Sequence, residues 1–443
     1  MTLVNRGNIC LREWGFFAFF APTNIEELLV LLRNYILLLV LLLSNLSCYR
    51  EELVEEPYGE VFELSISPET QDFIHSSRDS AYSIYEAEIE LVLEGSSLNL
   101  KDMRIRGKNA LNFPRKSYSV FLRDPVHIRG RQNRSDKMMS RFKLLAMAMD
   151  YTYIENRIGF GLLEQAEIMP LFYKFVEFRM NGSTEGVYML VEDPEEYFKE
   201  QGSEFILRRY YHHWIADSEY EPSFYNIQED EYLSRFNGIY PLLKLHEGEA
   251  LYQELSERLN MEHYFRKMGI DYLLKNGDYS DEIFLYALVQ GDEIQFDIIP
   301  WDYDDLFSDQ PHEVGVTWGT GTMFGNRTYP VYQDVLDVLG DKLIFSIEDD
   351  LDYIIATDSV LYARYEEELR DLVKVIEAWG FETLFGQIRR ELASYYQNKE
   401  IVDQSTLDRD HTTKKIWEKN MEEKQLFLEK RLAAMKNQLY SIN

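Results

Sequence analysis

Cysteine is almost missing from this chain. Its two copies, Cys10 and Cys48, lie near the N-terminus, so no disulfide framework staples the rest. Positive charge is the second scarcity: 46 Lys and Arg face 77 Asp and Glu, a net charge of −31. Nucleic acid is excluded as the main partner, because phosphate backbones are bound through Lys and Arg. An anionic nucleotide fits only where a metal ion or a local basic patch offsets the field, and a basic protein partner suits this charge better. Familiar catalytic motifs are missing too. There is no Gly-x4-Gly-Lys-Ser/Thr loop, and Gly319-Thr-Gly321-Thr-Met-Phe-Gly325 has neither the spacing nor a preceding strand. The histidines lack zinc spacing: His212 and His213 are adjacent, while His127, His263 and His312 stand alone. No Ser-His-Asp or Cys-His set is visible, and there are no internal repeats or low-complexity linkers.

Aromatic residues are plentiful instead, at 14% with 31 Tyr and 26 Phe, which marks a globular protein and not an acidic disordered tail. The chain's 443 residues are enough for a sizeable core in two lobes. Residues 1–48 read as an N-terminal extension and targeting segment. Arg33-Asn34 precedes nine apolar or aromatic residues, Tyr35 to Leu43, which is short for a bilayer span and suited to a signal-peptide core. Ser44-Asn-Leu-Ser-Cys48 resembles a bacterial lipoprotein cleavage site, although Asn45 stands where Leu is usual. The expectation is an exported lipoprotein of the cell envelope, tied to the membrane by a lipid at Cys48, ahead of plain secretion or a spanning anchor. Glu26 and Glu27 sit awkwardly before such a signal, which points to initiation near Leu28 to Leu32. Arg6, Arg12 and Arg33 cancel Glu13, Glu26 and Glu27, so the mature chain keeps the full −31.

Residues 49–195 read as strand-rich. Tyr85 to Leu93 alternate apolar and acidic residues, Leu98 to Gly107 and Ser117 to Leu122 follow as strands, and Asn181-Gly182 joins Phe172–Met180 to Gly186–Val191 as a hairpin. Phe142 to Ala166 has helical character, with Leu144, Leu145, Ala148, Ile154, Ile158 and Leu162 as its apolar positions. Residues 196–443 read as mainly helical. The helix Tyr252 to Leu274, two short strands at Ile283–Val289 and Glu293–Ile299, and long amphipathic helices over Leu343 to Tyr440 are expected there. Strands first and helices second suggest an α+β fold with two lobes.

The densest chemistry lies at Ile298-Ile-Pro-Trp-Asp302-Tyr-Asp304-Asp305, where an apolar strand-like run ends in three carboxylates beside a Trp. Such charges repel unless a cation, a basic side chain or water offsets them. Paired Asp at a strand end is a common way to hold Mg²⁺ against phosphate oxygens. Upstream, Asp278, Asp281 and Glu282 can supply a base and a further ligand, so the two clusters suggest phosphoryl transfer. Asp302, Asp304 and Glu313 also match positions of an EF-hand loop, but Phe307 occupies the position that needs Gly, which rejects that reading. Opposing charge comes from Lys101, Arg104, Arg106, Lys108, Arg115 and Lys116. On a continuing strand Arg104, Arg106 and Lys108 share one face, suited to nucleotide phosphates opposite the carboxylates. A solvated basic hairpin explains the same segment equally well.

Taken together these residues resemble the spore coat protein H (CotH) kinase family, an atypical secreted branch of the protein-kinase-like fold. Four segments carry the resemblance in order. They are Arg104-Ile-Arg106-Gly107 with Phe113-Pro-Arg-Lys116-Ser-Tyr118; Leu144-Leu-Ala146 with Asp150 and Asn156-Arg157; Phe178-Arg-Met-Asn181-Gly182 with Gly186-Val-Tyr188-Met-Leu-Val-Glu192; and Asn276-Gly-Asp278, Leu285-Tyr286 and Pro300-Trp-Asp302-Tyr-Asp304. The resemblance implies a two-lobed kinase-like fold and transfer of the ATP γ-phosphate to Ser or Thr hydroxyls of exported proteins, with Mg²⁺ or Mn²⁺. It implies Asp278 as the catalytic base, Asp302 and Asp304 as metal ligands, and Glu282 as a further ligand where the family usually has Asn. Lys116, Arg106 and Arg104 would steady the nucleotide phosphates, and Glu192 would face the nucleotide or anchor a basic residue. Glu155 stands where the family usually has Arg. A catalytically inactive envelope binding protein on the same fold is the alternative, and a metal-dependent glycosyltransferase using Asp302-Tyr-Asp304 ranks third, for want of a Rossmann-like start.

Overall fold

The computed structural model describes residues 60–441 except 80–81, 85–88, 108, 132–133, 151, 204, 211–212, 217–228, 280–282, 292, 310, 312–338, 348 and 406–413. The targeting segment with Cys48, Lys108, His212, Asp281, Glu282, His312, Glu313 and residues 319–325 therefore lie outside the described residues. The fold is α+β. An eight-stranded sheet is built from β1 (Val61–Ser65), β2 (Glu90–Leu93), β3 (Ser96–Leu98), β4 (Leu100–Arg106), β5 (Ser117–Ile128), β6 (Lys137–Leu145), β7 (Tyr173–Met180) and β8 (Ser183–Glu192). Its order is β3-β2-β1-β7-β8-β6-β5-β4, antiparallel throughout except for the parallel pair β1 and β7. That parallel pair departs from a simple meander. The β7–β8 hairpin turns at Asn181 and Gly182, both with positive φ (51° and 80°), as their residue types demand.

Three helices accompany this sheet: α1 (Pro68–Ser76), capped by the Ser67 hydroxyl, then α2 (Glu155–Gln165) and α3 (Pro194–Glu200), capped by Asp193. A second sheet follows, with β9 (Ile206–Tyr210), β10 (His213–Ala216), β11 (Ile283–Gln290) and β12 (Glu293–Pro300) in the order β10-β9-β11-β12. The helices α4 (Glu229–Asn237), α5 (Ile239–Leu245), α6 (Gly248–Ser256) and α7 (Met261–Leu274) lie between its two halves in sequence. The C-terminal part is helical as expected: α8 (Asp350–Thr357), α9 (Ser359–Trp379), α10 (Phe381–Gln397), α11 (Lys399–Ser405) and α12 (Lys414–Tyr440). Among the described residues, no helix is long and apolar enough to cross a membrane.

One segment corrects the sequence reading. Phe142 to Leu145 end strand β6, and the helix begins only at Glu155. Leu144 packs into a smaller apolar core with Tyr118 and Phe178, whereas Leu145 packs into a larger one with Met189 and Val191. Both faces of the strand are covered, so its apolar run lacks the alternation that separates strand from buried helix. The larger core extends from Leu145 to Leu439, so α2 belongs to the same apolar cluster as α9 and α10.

Candidate active site

Two loops meet at the ends of α7 and β12. Lys275 caps α7 in the left-handed conformation (φ 53°), and the chain turns through Asn276-Gly277-Asp278. Strand β12 delivers Trp301 and then residues 302–308. Three backbone bonds lay these loops together: Gly277 N–H to the Asp305 carbonyl at 2.8 Å, Phe307 N–H to Leu274 at 2.9 Å and Ser308 N–H to Lys275 at 3.1 Å. A Cβ on residue 277 would fall 1.6 Å from Asp305 Oδ2, so glycine permits this approach without displacing the Asp305 side chain.

The start of α2 fixes the same segment. Asn156 Oδ1 accepts the Tyr303 N–H at 2.7 Å, and Glu155 Oε2 accepts the Leu306 N–H at 3.0 Å. Tyr303 is fully buried and its hydroxyl donates to Asp271 Oδ1 at 2.8 Å. That carboxylate also accepts from Asn276 Nδ2 at 3.2 Å and pairs with Lys267 at 2.8 Å, so Asp271 ties both loops to α7. Arg157 holds α2 against α10 through a two-pronged pair with Glu391, both bonds 2.8 Å. Breaking such a buried pair by removing one partner costs about 3–5 kcal/mol.

This scaffold gathers Asp278, Asp302 and Asp304. Burial raises the Asp302 carboxyl above its ordinary range; Arg106 acts against the rise, Asp278 adds to it, and Arg208 and a hydrogen bond with Asn156 oppose it. Asp304 is pushed well up by burial first, then by Asp302, Asp278, Glu155 and Asp150. Both keep part of their surface accessible despite the crowding. Asp302 also has φ 38°, a conformation that non-glycine residues adopt at a cost and that recurs at functional sites. Among the described residues, no three His, Cys, Asp or Glu side chains converge as a metal site. The pair Asp302 and Asp304 nevertheless fits Mg²⁺, which takes one or two protein carboxylates and fills its octahedron with phosphate oxygens and water. Glu282, the further ligand expected, lies outside the described residues.

The basic residues divide. Arg106 reaches the site, its Cζ 5.5 Å from the Trp301 ring centre. Arg104 is exposed, bonds Asp102 at 2.5 Å and lies over Phe121. Lys116 is buried and donates to the carbonyls of Leu111 and Phe113, both at 2.7 Å, closing the turn before β5. Glu192 is buried too, accepting the Phe172 N–H at 2.8 Å and pairing with Lys137 at 2.5 Å.

Sequence reasoning missed three residues here: Asp271, Arg208 and Lys424. Lys424, on α12, pairs with Glu155, and its Nζ lies 4.2 Å from the Phe307 ring centre. It returns the positive charge that Glu155 takes away from the start of α2. No local signal marks it among the many charges of that helix. The Glu155 carboxyl is pushed up to about 8, by burial first and by Asp150 next, with Lys424 opposing. A folded-state value above the unfolded one gives stability that is present below the ordinary Glu range and lost as pH rises through 8. Glu155→Gln is therefore expected to unfold at a higher temperature than the native chain, by a margin that grows between pH 4.5 and 8 and then levels. Parallel melting curves of the two proteins across that range would contradict the burial of this charge.

Comparison with known proteins bears on what this site belongs to. The family model described as "CotH kinase protein" matches residues 103–435. The chain belongs to the CotH kinase family. All three carboxylates, Arg106, Asn156, Arg208 and Lys424 fall inside the matched span. A curated relative, "Inner spore coat protein H" of Bacillus subtilis (strain 168), is 23% identical over 237 residues. That stretch is 48% of this chain and 60% of the relative, so the match covers less than two thirds of the relative's length.

Proposed function

We propose that this member of the CotH kinase family is an active, two-lobed kinase that transfers the ATP γ-phosphate to Ser or Thr hydroxyls of exported or cell-envelope proteins. The observation that carries this reading is the convergence of Asp278, Asp302 and Asp304 on two loops pinned by Tyr303, Asn156 and Gly277, with Arg106 beside them. Asp278 takes the proton of the attacking hydroxyl as its oxygen bonds to the γ-phosphorus, and the bond to the β–γ bridging oxygen breaks with its electrons leaving on ADP. Asp302 and Asp304 would hold Mg²⁺ or Mn²⁺, and Glu282 a further contact. When bound, the metal supplies charge neutralisation on the phosphate oxygens. Arg106 adds a fixed cation at the same place. Arg104 and Lys116, beside the site in the neighbouring sheet, are the further cations this reading assigns to the nucleotide, and Glu192 has the part of anchoring a basic residue there, through its pair with Lys137.

The net charge of −31 supports a basic, Ser- or Thr-containing protein substrate. The resemblance of residues 44–48 to a lipoprotein site and the coat location in the relative's name support an exported, envelope- or coat-associated protein, anchored through lipid on Cys48. The test is label incorporation from γ-labelled ATP with Mg²⁺ or Mn²⁺, using the chain from Tyr49 and a basic Ser-rich acceptor. Labelled acceptor is the expected result; a folded protein that neither labels it nor binds ATP overturns the reading. That outcome would favour an inactive binding protein, the alternative kept alive by Glu282 in place of Asn.

A further inference from the structure

The residue after the proposed base is held as firmly as the residue before it. Tyr279 is buried, and its carbonyl accepts from two cations on different elements: Arg209 Nη2 of β9 at 3.2 Å and Lys267 Nζ of α7 at 3.3 Å. The same two cations lie over the Tyr279 ring, with Arg209 Cζ 5.2 Å and Lys267 Nζ 4.2 Å from its centre. Both are buried and anchored a second time. Arg209 Nη1 bonds Asp352 Oδ2 at 3.2 Å, in the first turn of α8, and the other oxygen of Asp352 accepts the Tyr264 hydroxyl at 2.6 Å. Lys267 pairs at 2.8 Å with Asp271, the carboxylate that binds Tyr303 and Asn276. Tyr264, Lys267 and Asp271 follow one another at the three- and four-residue spacing of a single helical face, so α7 turns the whole row toward this loop.

Buried charges gain little net stability from one another, because each gives up its hydration. What a well-bonded set supplies is one defined geometry. Here that geometry ends on the residues either side of Asp278. The Gly277 N–H is fixed to the Asp305 carbonyl, and the Tyr279 carbonyl is fixed to the two cations. With the backbone pinned before and after, the direction of the Asp278 Cα–Cβ bond is set. We infer that Arg209 and Lys267 are positioning residues, which aim the Asp278 carboxylate at the attacking hydroxyl by gripping the Tyr279 carbonyl. Through Asp271 the same row sets the base loop against the loop that bears Asp302 and Asp304. The inference rests on the kinase reading above and names two residues that reading did not contain.

The test is phosphate transfer by the chain from Tyr49 and by Arg209→Lys and Lys267→Met, each also in the Asp278→Ala background, with ATP·Mg²⁺ binding and melting curves alongside. Arg209→Lys keeps a charge for Asp352 but loses the fork that reaches the carbonyl as well. Lys267→Met keeps the stem and loses the donor. Each is expected to lower kcat by about 10- to 100-fold, the scale of a catalytic group displaced by up to about 1 Å, and to change ATP affinity by less than about threefold. In the Asp278→Ala background the same substitutions should cost less than about threefold, because no carboxylate is left to misplace. A purely structural role would lower transfer equally in both backgrounds and weaken ATP with it, and that result overturns the inference. Should Asp278→Ala leave no measurable transfer, the split between kcat and ATP affinity decides. Should one variant fail to fold, the other carries the same conclusion; failure of both makes the row structural and overturns the inference. Native transfer with unchanged kcat in both variants also overturns it and leaves the kinase reading standing. A native chain that transfers no phosphate overturns both.

Discussion

Gly159→Ala is expected to cost phosphate transfer about a hundredfold or more, and to lower the melting temperature, although it improves the helical propensity of α2. Alanine is favoured over glycine inside a helix by about 1 kcal/mol, so propensity alone predicts a gain. The packing reverses the sign. A Cβ at this position would lie 2.5 Å from Tyr303 Cδ1 and 2.6 Å from both its Cβ and Cγ. Tyr303 has no room to withdraw, because it is fully buried, its N–H is bound by Asn156 and its hydroxyl by Asp271. Either α2 or the 302–308 loop must shift. Overpacking of this kind costs about 1–3 kcal/mol, and a displacement of about 1 Å in a catalytic group costs about 10²-fold in rate. Gly386→Ala in α10 is the control, since its new Cβ would meet only Arg390 Nη1 at 3.5 Å. Thermal melting and the transfer assay read both variants. Equal behaviour of the two would contradict the role of α2 in placing Asp302.

Asp304→Asn is expected to act in opposite directions on activity and stability. Its carboxyl is forced up by burial and by Asp302, Asp278, Glu155 and Asp150, so its charge opposes folding when no metal is present. A folded value above the unfolded one means stability lost as pH rises out of the ordinary carboxylate range. The amide removes that loss. The variant should melt higher than the native chain at neutral pH without metal, and the gap should widen with pH. Transfer should fall by about 10²-fold or more, because one of two proposed metal ligands is gone. Asp302→Ala should lose more, and Asp278→Ala about 10²- to 10⁴-fold, the range for a general base. A variant that is less stable than the native chain yet fully active would contradict the site as described. Sites that hold like charges together trade stability for function in this way.

Legibility in the sequence followed physical locality. The Asn181-Gly182 hairpin was readable because both residues tolerate positive φ, and the pair β11 and β12 because each is a short apolar run with a turn between. The Asp302-Tyr-Asp304 cluster was readable because three acids after a buried strand are an electrostatic oddity. Strand β6 was not, since Leu144 and Leu145 serve different cores. Strand β9 was not either: it pairs with β11 more than seventy residues later, through Phe284 and Arg208, and nothing local announces it. Arg208 and Lys424 look in sequence like any other surface charge. What sets them apart is long-range, a ring on one strand and a carboxylate on α2, and a single sequence does not encode those separations in its spacing. Lys116 shows the reverse case, a residue whose motif points to a ligand while its ammonium closes a turn.

Manganese bound in the presence of ATP is the measurement that tests the central claim most directly. The paramagnetic signal of Mn²⁺ would be recorded with the chain from Tyr49 and with Asp302→Asn, each with and without ATP. The site described here predicts bound Mn²⁺ in the native chain when ATP is present, little without it, and a loss of that bound fraction in Asp302→Asn. Undiminished ATP-dependent binding in the variant would contradict Asp302 as the metal-bearing residue.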